Sequence, residues 1–139
     1  MKAISIRNPW AYDIFCGVKP YEFRTWNTTF RGDLLICSSA NPKIKGTFCG
    51  CALVVCTLSD VTQVNKNNYK NFDIDKPNLD QKLYAWHLTN FRIIKPFKVK
   101  GKLGFYEVSD KLIEFIDFNS FNEDECDQFY LKYFVPFLC

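Results

Sequence analysis

The chain has 139 residues, of which 47% are hydrophobic, 17% aromatic and 24% charged. This balance is typical of one folded globular domain and excludes a disordered, collagen-like or coiled-coil chain. The longest apolar runs, such as residues 52–56, are too short to cross a bilayer. Charges at Lys2 and Arg7 also leave no room for the apolar core of a signal peptide. We therefore predict a cytoplasmic protein with no membrane partner.

The net charge of +3 conceals an uneven distribution along the chain. Residues 107–139 carry eight acidic and two basic side chains, so residues 1–106 carry a net charge of +9. A body this basic indicates a polyanionic partner, with nucleic acid first, and a solvated lysine-rich surface is the alternative. The acidic C-terminal region leaves a protein partner open as well.

The seven cysteines follow neither a disulfide framework nor a metal-ligand spacing. Cys49 and Cys51 are separated by one residue, whereas a C-x-x-C motif has two, and His87, the one histidine, is distant in sequence. We predict reduced thiols, several of them small core hydrophobes, and neither a metal nor a cofactor.

Short strands make up most of the predicted elements. Residues 3–7 alternate apolar and polar side chains, which predicts a half-buried strand. Asn8 as the N-cap and Pro9 as the first residue then predict a short helix that ends at Gly17, with Trp10 as a core anchor. Further strands are predicted at residues 21–26, 34–37, 52–58, 83–99 (one or two strands broken near Pro96) and 105–108. The polar residues 63–82 predict a flexible insertion or lid.

The remaining residues, 109–139, predict two helices, at 110–116 and 123–134. Many short strands with one early helix indicate an α+β, mainly β fold built as a small closed or nearly closed barrel. No repeat or domain boundary is evident, so we predict one domain over residues 1–139, with 109–139 as a C-terminal helical extension packed on the barrel.

The side chains that carry chemistry lie in and after residues 17–24. Lys19 follows the predicted helix end, and the period of two places Glu22, Arg24 and Trp26 on one strand face. Charged groups gathered around an indole are costly to desolvate unless they pair or meet a ligand. Because a Lys–Glu pair in a cleft can act as acid and base, Lys19 and Glu22 are the candidate catalytic residues if the protein is an enzyme. A structural salt bridge at the barrel rim is the alternative.

Further side chains are candidates for contact with a nucleic acid. Arg7 borders the same cleft or is an exposed strand residue. Trp26 and Trp86 are candidates for stacking on bases, because aromatic faces accept bases without reading sequence, and core packing is the alternative for Trp86. Three lysines share one face if the strand persists past residue 100, and would hold a phosphate backbone by charge: Lys98, Lys100 and Lys102.

Several segments of the chain follow one recognisable pattern. They are residues 4–11 (ISIRNPWA), the G-x-K-x-x-E-x-R-x-W run at 17–26, residues 30–36 (FRGDLLI), Gly50 and Ala52, residues 84–88 (YAWHL), and residues 96–106. Together they resemble the ASCH family (activating signal cointegrator homology domains). The resemblance covers most of residues 3–108 and leaves 109–139 outside.

The resemblance implies a PUA-like β-barrel in which Lys19, Glu22 and Arg24 line a cleft that receives a nucleotide or nucleic acid. Some small relatives hydrolyse N4-acetylcytidine with this lysine and a threonine three residues later. Here Glu22 holds that place, and Thr25 is expected on the opposite strand face. Other relatives are ribonucleases.

The sequence thus predicts an RNA- or nucleotide-binding domain with a basic cleft. A small hydrolase acting on a modified nucleoside or on RNA is the alternative. A protein-interaction adaptor that uses the acidic C-terminal region is the third reading.

Overall fold

The fold is built on a six-stranded sheet, in a computed structural model that describes all 139 residues. The strands are β1 (Lys2–Ile6), β2 (Tyr21–Arg24), β3 (Gly32–Ser38), β4 (Cys51–Gln63), β5 (Tyr84–Lys98) and β6 (Phe105–Glu107). Two α-helices accompany them: α1 (Trp10–Phe15) and α2 (Glu123–Phe129). The order across the sheet is β2-β5-β4-β3-β1-β6, and β1 and β3 form the one parallel pair. The predicted mainly β architecture is confirmed, as a sheet that curls into a partial barrel.

The long hairpin of β4 and β5 forms the centre of the sheet. Residues 51–56 of β4 are buried without alternation, as expected of a strand covered on both faces. The pairing between the two strands shifts register at three places, and one shift lies between the pairs Ala52–Phe97 and Val54–Ile93. Pro96 lies within that register shift. Its lack of an N–H therefore removes no hydrogen bond between the two strands. The expected break near Pro96 is therefore a bulge within one continuous strand.

The helix α1 differs from its prediction at its start. It begins at Trp10 without a side-chain cap, and Asn8 is buried instead. The Asn8 amide Nδ2 donates to the Phe48 carbonyl over 2.7 Å and so ties the start of the helix to the segment before β4. Ala11 and Ile14 face the core. The prediction of Asn8 as N-cap is wrong because its amide is used for this long-range bond.

Residues 109–139 pack on the sheet as well as on one another. The backbone N–H of Ile116 donates to Ile93 of β5, and Phe134 is 2% exposed within the main hydrophobic cluster. The predicted helix at 110–116 is a single short turn (Asp110–Leu112), capped by the Ser109 side chain, before the chain extends along β5. The second predicted helix begins at an Asn122 capping box as α2 and continues as a wider π-helical turn (Tyr130–Phe134). No helix reaches the length and apolar character needed to cross a bilayer.

The polar segment 63–82 lies against the outer side of β2 and β5. It contains one short 3-10 turn (Tyr69–Phe72), and Phe72 packs edge-on against Tyr21 and His87. The His87 imidazole also bonds the Thr62 hydroxyl over 2.8 Å. These contacts give His87 a structural role and hold the segment away from the cavity described below.

The cysteines depart from the prediction in one respect. Burial raises the pKa of Cys37 to about 12, of Cys51 to about 11 and of Cys56 to about 12, so these three are neutral core thiols as expected. Cys49 and Cys139, however, form a disulfide with their Cα atoms 5.7 Å apart. The predicted reduced state is wrong for this pair, because the backbone bond from Cys139 to Thr47 brings two cysteines together that lie 90 residues apart.

We expect Cys139→Ser to lower the free energy of unfolding by about 2–4 kcal/mol, because the lost cross-link closes a long loop in the unfolded chain. Urea denaturation without reductant measures this, and Cys126→Ser is the control because Cys126 is an unpaired, partly buried thiol. Equal effects of the two substitutions, or seven titratable thiols in the unfolded non-reduced protein, would contradict the bond.

Candidate functional site

A cavity of about 1120 Å³ opens where the two edges of the curled sheet approach each other. Nineteen residues line it, and they come from five places: β1 and its end, the start of α1 and the turn after it (Trp10 and Lys19), β2 and the residues after it, the loop 39–41, and the loop 98–104. The edges meet there through side chains. Trp26, just after β2, packs edge-on against Phe105 of β6 with the ring centroids 5.3 Å apart. The site is therefore a product of incomplete sheet closure.

A buried carboxylate organises the floor of the cavity. The Glu22 side chain is 7% exposed, and its Oε1 lies 3.1 Å from Lys19 Nζ while its Oε2 lies 3.1 Å from Arg24 Nη2. The same Arg24 nitrogen donates to the Ser5 carbonyl of β1 over 3.2 Å. The period of two in β2 and the end of α1 thus bring Lys19, Glu22 and Arg24 together as predicted.

Four further cations surround the cavity without an ion-pair partner: Arg7, Lys98, Lys100 and Lys102. The lining therefore holds six basic side chains and one carboxylate. The three lysines are positioned differently from the prediction, because β5 ends at Lys98, and Lys100 and Lys102 lie on the loop before β6. The three lysines do not share one strand face, because the strand does not persist past residue 100, but all three side chains border the cavity.

Two indoles also line the cavity. Trp26 is half-buried, whereas Trp10 is 50% exposed and its ring lies under Lys19 Nζ, 5.5 Å from the ring centroid. Trp10 was expected to be a core anchor, and this is wrong because it begins the helix at the end that faces the cavity.

Trp86 is the one predicted ligand contact that the cavity excludes. Its side chain is fully buried and packs edge-on against Trp26 with the centroids 4.8 Å apart. The prediction of Trp86 as a stacking surface is corrected, because its register opposite Glu22 places it behind the cavity floor, in the core. It supports Trp26 from below.

Hydroxyl groups occur in the cavity, but none is paired with a base. The Ser5 hydroxyl lies 2.7 Å from the Tyr106 hydroxyl, and burial raises the pKa of Tyr106 well above its usual value, so that phenol stays protonated. Thr25 was expected to face away, yet it lines the cavity because β2 ends at Arg24 and the period of two stops there. Both oxygens of Glu22 are already held by cations.

Sequence reasoning missed one wall of the site. The loop 39–41, just after β3, borders the cavity and carries no charged side chain. Gly50 holds this loop in place. Its N–H donates to the Ser39 carbonyl and its carbonyl accepts from the Val99 N–H, so that Gly50 joins the loop 39–41 to the loop 98–104. The sequence signal for this wall was the glycine at position 50. The backbone there has φ +67°, which favours a residue without a side chain. No group of three or more His, Cys, Asp or Glu side chains forms a metal-ligand set.

Comparison with known proteins identifies the family. The ASCH domain matches residues 4–98, which is more than half of the chain and includes the Lys19–Glu22–Arg24 floor. The chain belongs to the ASCH domain family. The lysine loop 98–104 and the C-terminal extension of this ASCH domain lie at or beyond the end of that match. No curated protein sequence matches the chain.

Solved structures of an ASCH protein from Zymomonas mobilis share the fold of this ASCH domain. One is 14% identical with a TM-score of 0.54, and the match covers 79% of this chain and 88% of the other. A serine-to-alanine variant of that protein is 13% identical with a TM-score of 0.61, covering 81% and 96%. A tyrosine-to-phenylalanine variant is 14% identical with a TM-score of 0.54, covering 79% and 91%.

We expect Glu22→Gln to lower the free energy of unfolding by about 2 kcal/mol, because it leaves two partly buried cations with no carboxylate between them. Urea denaturation measures the loss. The matched control is Glu114→Gln, which removes a carboxylate from the Lys95–Glu114 pair, where the side chains are 34% and 70% exposed. The control substitution should lower the free energy of unfolding by less than about 1 kcal/mol. Equal losses would show that burial of Glu22 adds nothing to its ion pairs.

Proposed function

We propose that this ASCH domain binds RNA in the basic cavity, with phosphates against the lysine loop and one nucleoside beside the indoles. The observation that carries the proposal is the composition of the lining, with six basic side chains against one carboxylate around two tryptophans. A volume of about 1120 Å³ is at the upper end for small-ligand pockets, which fits a nucleotide still attached to its neighbours.

The positive charge of the cavity is unpaired at Arg7 and along the loop 98–104, and it is paired on the floor. Glu22 neutralises much of the charge of Lys19 and Arg24, whereas the three lysines of the loop 98–104 have no carboxylate within 4.0 Å. Unpaired lysines attract phosphate without fixing its orientation, so they supply affinity rather than sequence specificity. This division supports a backbone site on the loop and a nucleoside site on the floor.

The aromatic side chains support the nucleoside half of the proposal. Trp10 presents a half-exposed ring beside Lys19, and every base has a face that stacks on an indole. The polar edge of a base would then meet the floor, where Lys19 and Arg24 are hydrogen-bond donors.

The other readings of the sequence have less support. Hydrolysis would need Glu22 as an acid or base, but Lys19 and Arg24 occupy both of its oxygens and no nucleophile–base pair lines the cavity. We therefore do not propose hydrolysis. The adaptor role of the acidic region stays a prediction. So does the cytosolic location, and the Cys49–Cys139 disulfide weighs against it because reducing compartments rarely keep such bonds.

The phosphate half is tested by replacing the loop lysines together, as Lys98→Gln, Lys100→Gln and Lys102→Gln. Fluorescence anisotropy with a labelled single-stranded RNA, repeated over a series of salt concentrations, gives the slope of log K against log salt. Loss of three phosphate contacts should make that slope shallower by about 2 and weaken binding at low salt.

The matched control replaces three exposed lysines outside the cavity, Lys66, Lys70 and Lys76, with glutamine. It changes the net charge by the same amount and should leave the slope nearly unchanged. An equal fall in both triple variants would mean that net charge alone holds the RNA, which contradicts a defined site.

The nucleoside half is tested by Trp10→Ala, which removes the exposed ring. Loss of one base stack should weaken RNA binding by roughly ten- to a hundredfold in the same assay, while Trp10→Phe should retain most of it. Phe115→Ala is the control, because Phe115 is 51% exposed and lies outside the cavity. Unchanged affinity in Trp10→Ala would remove the indole from the proposed site.

A further inference from the structure

The loop 98–104 carries an apolar side chain that the proposed phosphate site does not explain. Leu103 is 100% exposed, follows Lys102 and lines the cavity at its mouth. Single exposed leucines are ordinary on protein surfaces. The other exposed leucines of this chain are partly covered, however, as Leu112 (55%) and Leu131 (64%) illustrate. Leu103 is therefore distinguished by complete exposure together with its place directly after Lys102 at a site entrance.

The loop is anchored at Val99 and at Phe105 and passes close to β1 at Gly101, and Leu103 projects from it into solvent. The N–H of Val99 donates to the Gly50 carbonyl over 3.1 Å. Gly101 lies so close to β1 that a Cβ there would stand 2.7 Å from the Ser5 hydroxyl. Gly104 then turns the chain at φ +67° into β6, where Phe105 packs against Trp26.

We propose that Leu103 is a wedge that enters a base-paired RNA and fills the gap left when one base turns out of the stack into the cavity. The inference rests on the proposed function, since the extruded base would be the nucleoside beside Trp10. Apolar side chains on basic segments part neighbouring base pairs in this way, and extruded bases are held in pockets of aromatic side chains. Lys100 and Lys102, which precede Leu103 on the same loop, would hold a phosphate on one side of the gap.

An anionic membrane is the other partner that an exposed leucine next to lysines would suit. The cavity argues against it, because a membrane surface makes no use of two indoles and a buried Lys–Glu–Arg floor beside the loop. One leucine also buries little apolar area, and stable membrane attachment takes a larger apolar face or a second anchor.

The test uses an RNA hairpin with one 2-aminopurine in its stem beside a single mismatched pair, whose fluorescence rises when a neighbouring base leaves the stack, and a single-stranded RNA of the same composition. With the wild-type protein we expect the fluorescence to rise on binding. Leu103→Ala should reduce that rise and weaken hairpin binding about tenfold, because unstacking costs a few kcal/mol per step and the gap is left empty. It should change single-strand binding less than twofold, and Leu103→Phe should restore the signal.

Leu131→Ala is the matched control, because it removes an exposed leucine far from the cavity and should behave as the wild type. If Leu103→Ala binds both RNAs and gives the full fluorescence rise, the wedge is wrong and the RNA site stands. If no variant and no wild type binds either RNA, both proposals fail. Sedimentation with phosphatidylserine vesicles that depends on Leu103, without hairpin opening, would assign the loop to a membrane and overturn the wedge.

Discussion

The structure depends on a sheet that curls without closing. The edge strands β2 and β6 form no backbone ladder with each other, and side chains bridge the gap between them. Arg24 on one edge donates to the Ser5 carbonyl, which lies just past the last pair of β1 with β6, Ile4–Phe105. A fully hydrogen-bonded barrel would fill this space with backbone. The side-chain closure leaves a cavity and determines which residues line it.

Burial of Glu22 depends on the same ion network that bridges the open edges of the sheet. An isolated carboxylate at 7% exposure would be costly, and Lys19 and Arg24 offset the cost from opposite sides. Because Arg24 also holds Ser5, one ion network both satisfies a buried charge and joins the two edges of the sheet. The structural salt bridge and the ligand site, which were alternatives from the sequence, are therefore properties of the same three residues.

The loop before β6 completes the site from outside this network. Its lysines are unpaired, and Gly50 and Ser5 hold its start in place. The C-terminal extension instead packs along β5 and against the main hydrophobic cluster, and contributes no residue to the cavity lining. The C-terminal extension thus supports the sheet, whereas the cavity is built from strands and loops within the family match together with the loop 98–104, most of which lies beyond it.

Local pattern in the sequence determined the strands and the floor of the site. The period of two in β2 and the helix stop before Lys19 brought the three charged residues to one place because those relations act over a few residues. Even there the prediction was correct only to the end of the strand, since Thr25 lies past it and turns into the cavity.

Burial and pairing were decided by tertiary structure alone. Trp10, at a helix start, was predicted to be core and Trp86, in a strand, was a candidate for the ligand surface, yet Trp10 is half-exposed at the cavity and Trp86 is fully buried behind it. The difference arises from which distant strands and loops cover each ring, and the Cys49–Cys139 bond depends in the same way on a contact across 90 residues. A local sequence pattern specifies which face of an element a side chain takes, but only the packing of remote elements decides whether that face meets core, solvent or ligand.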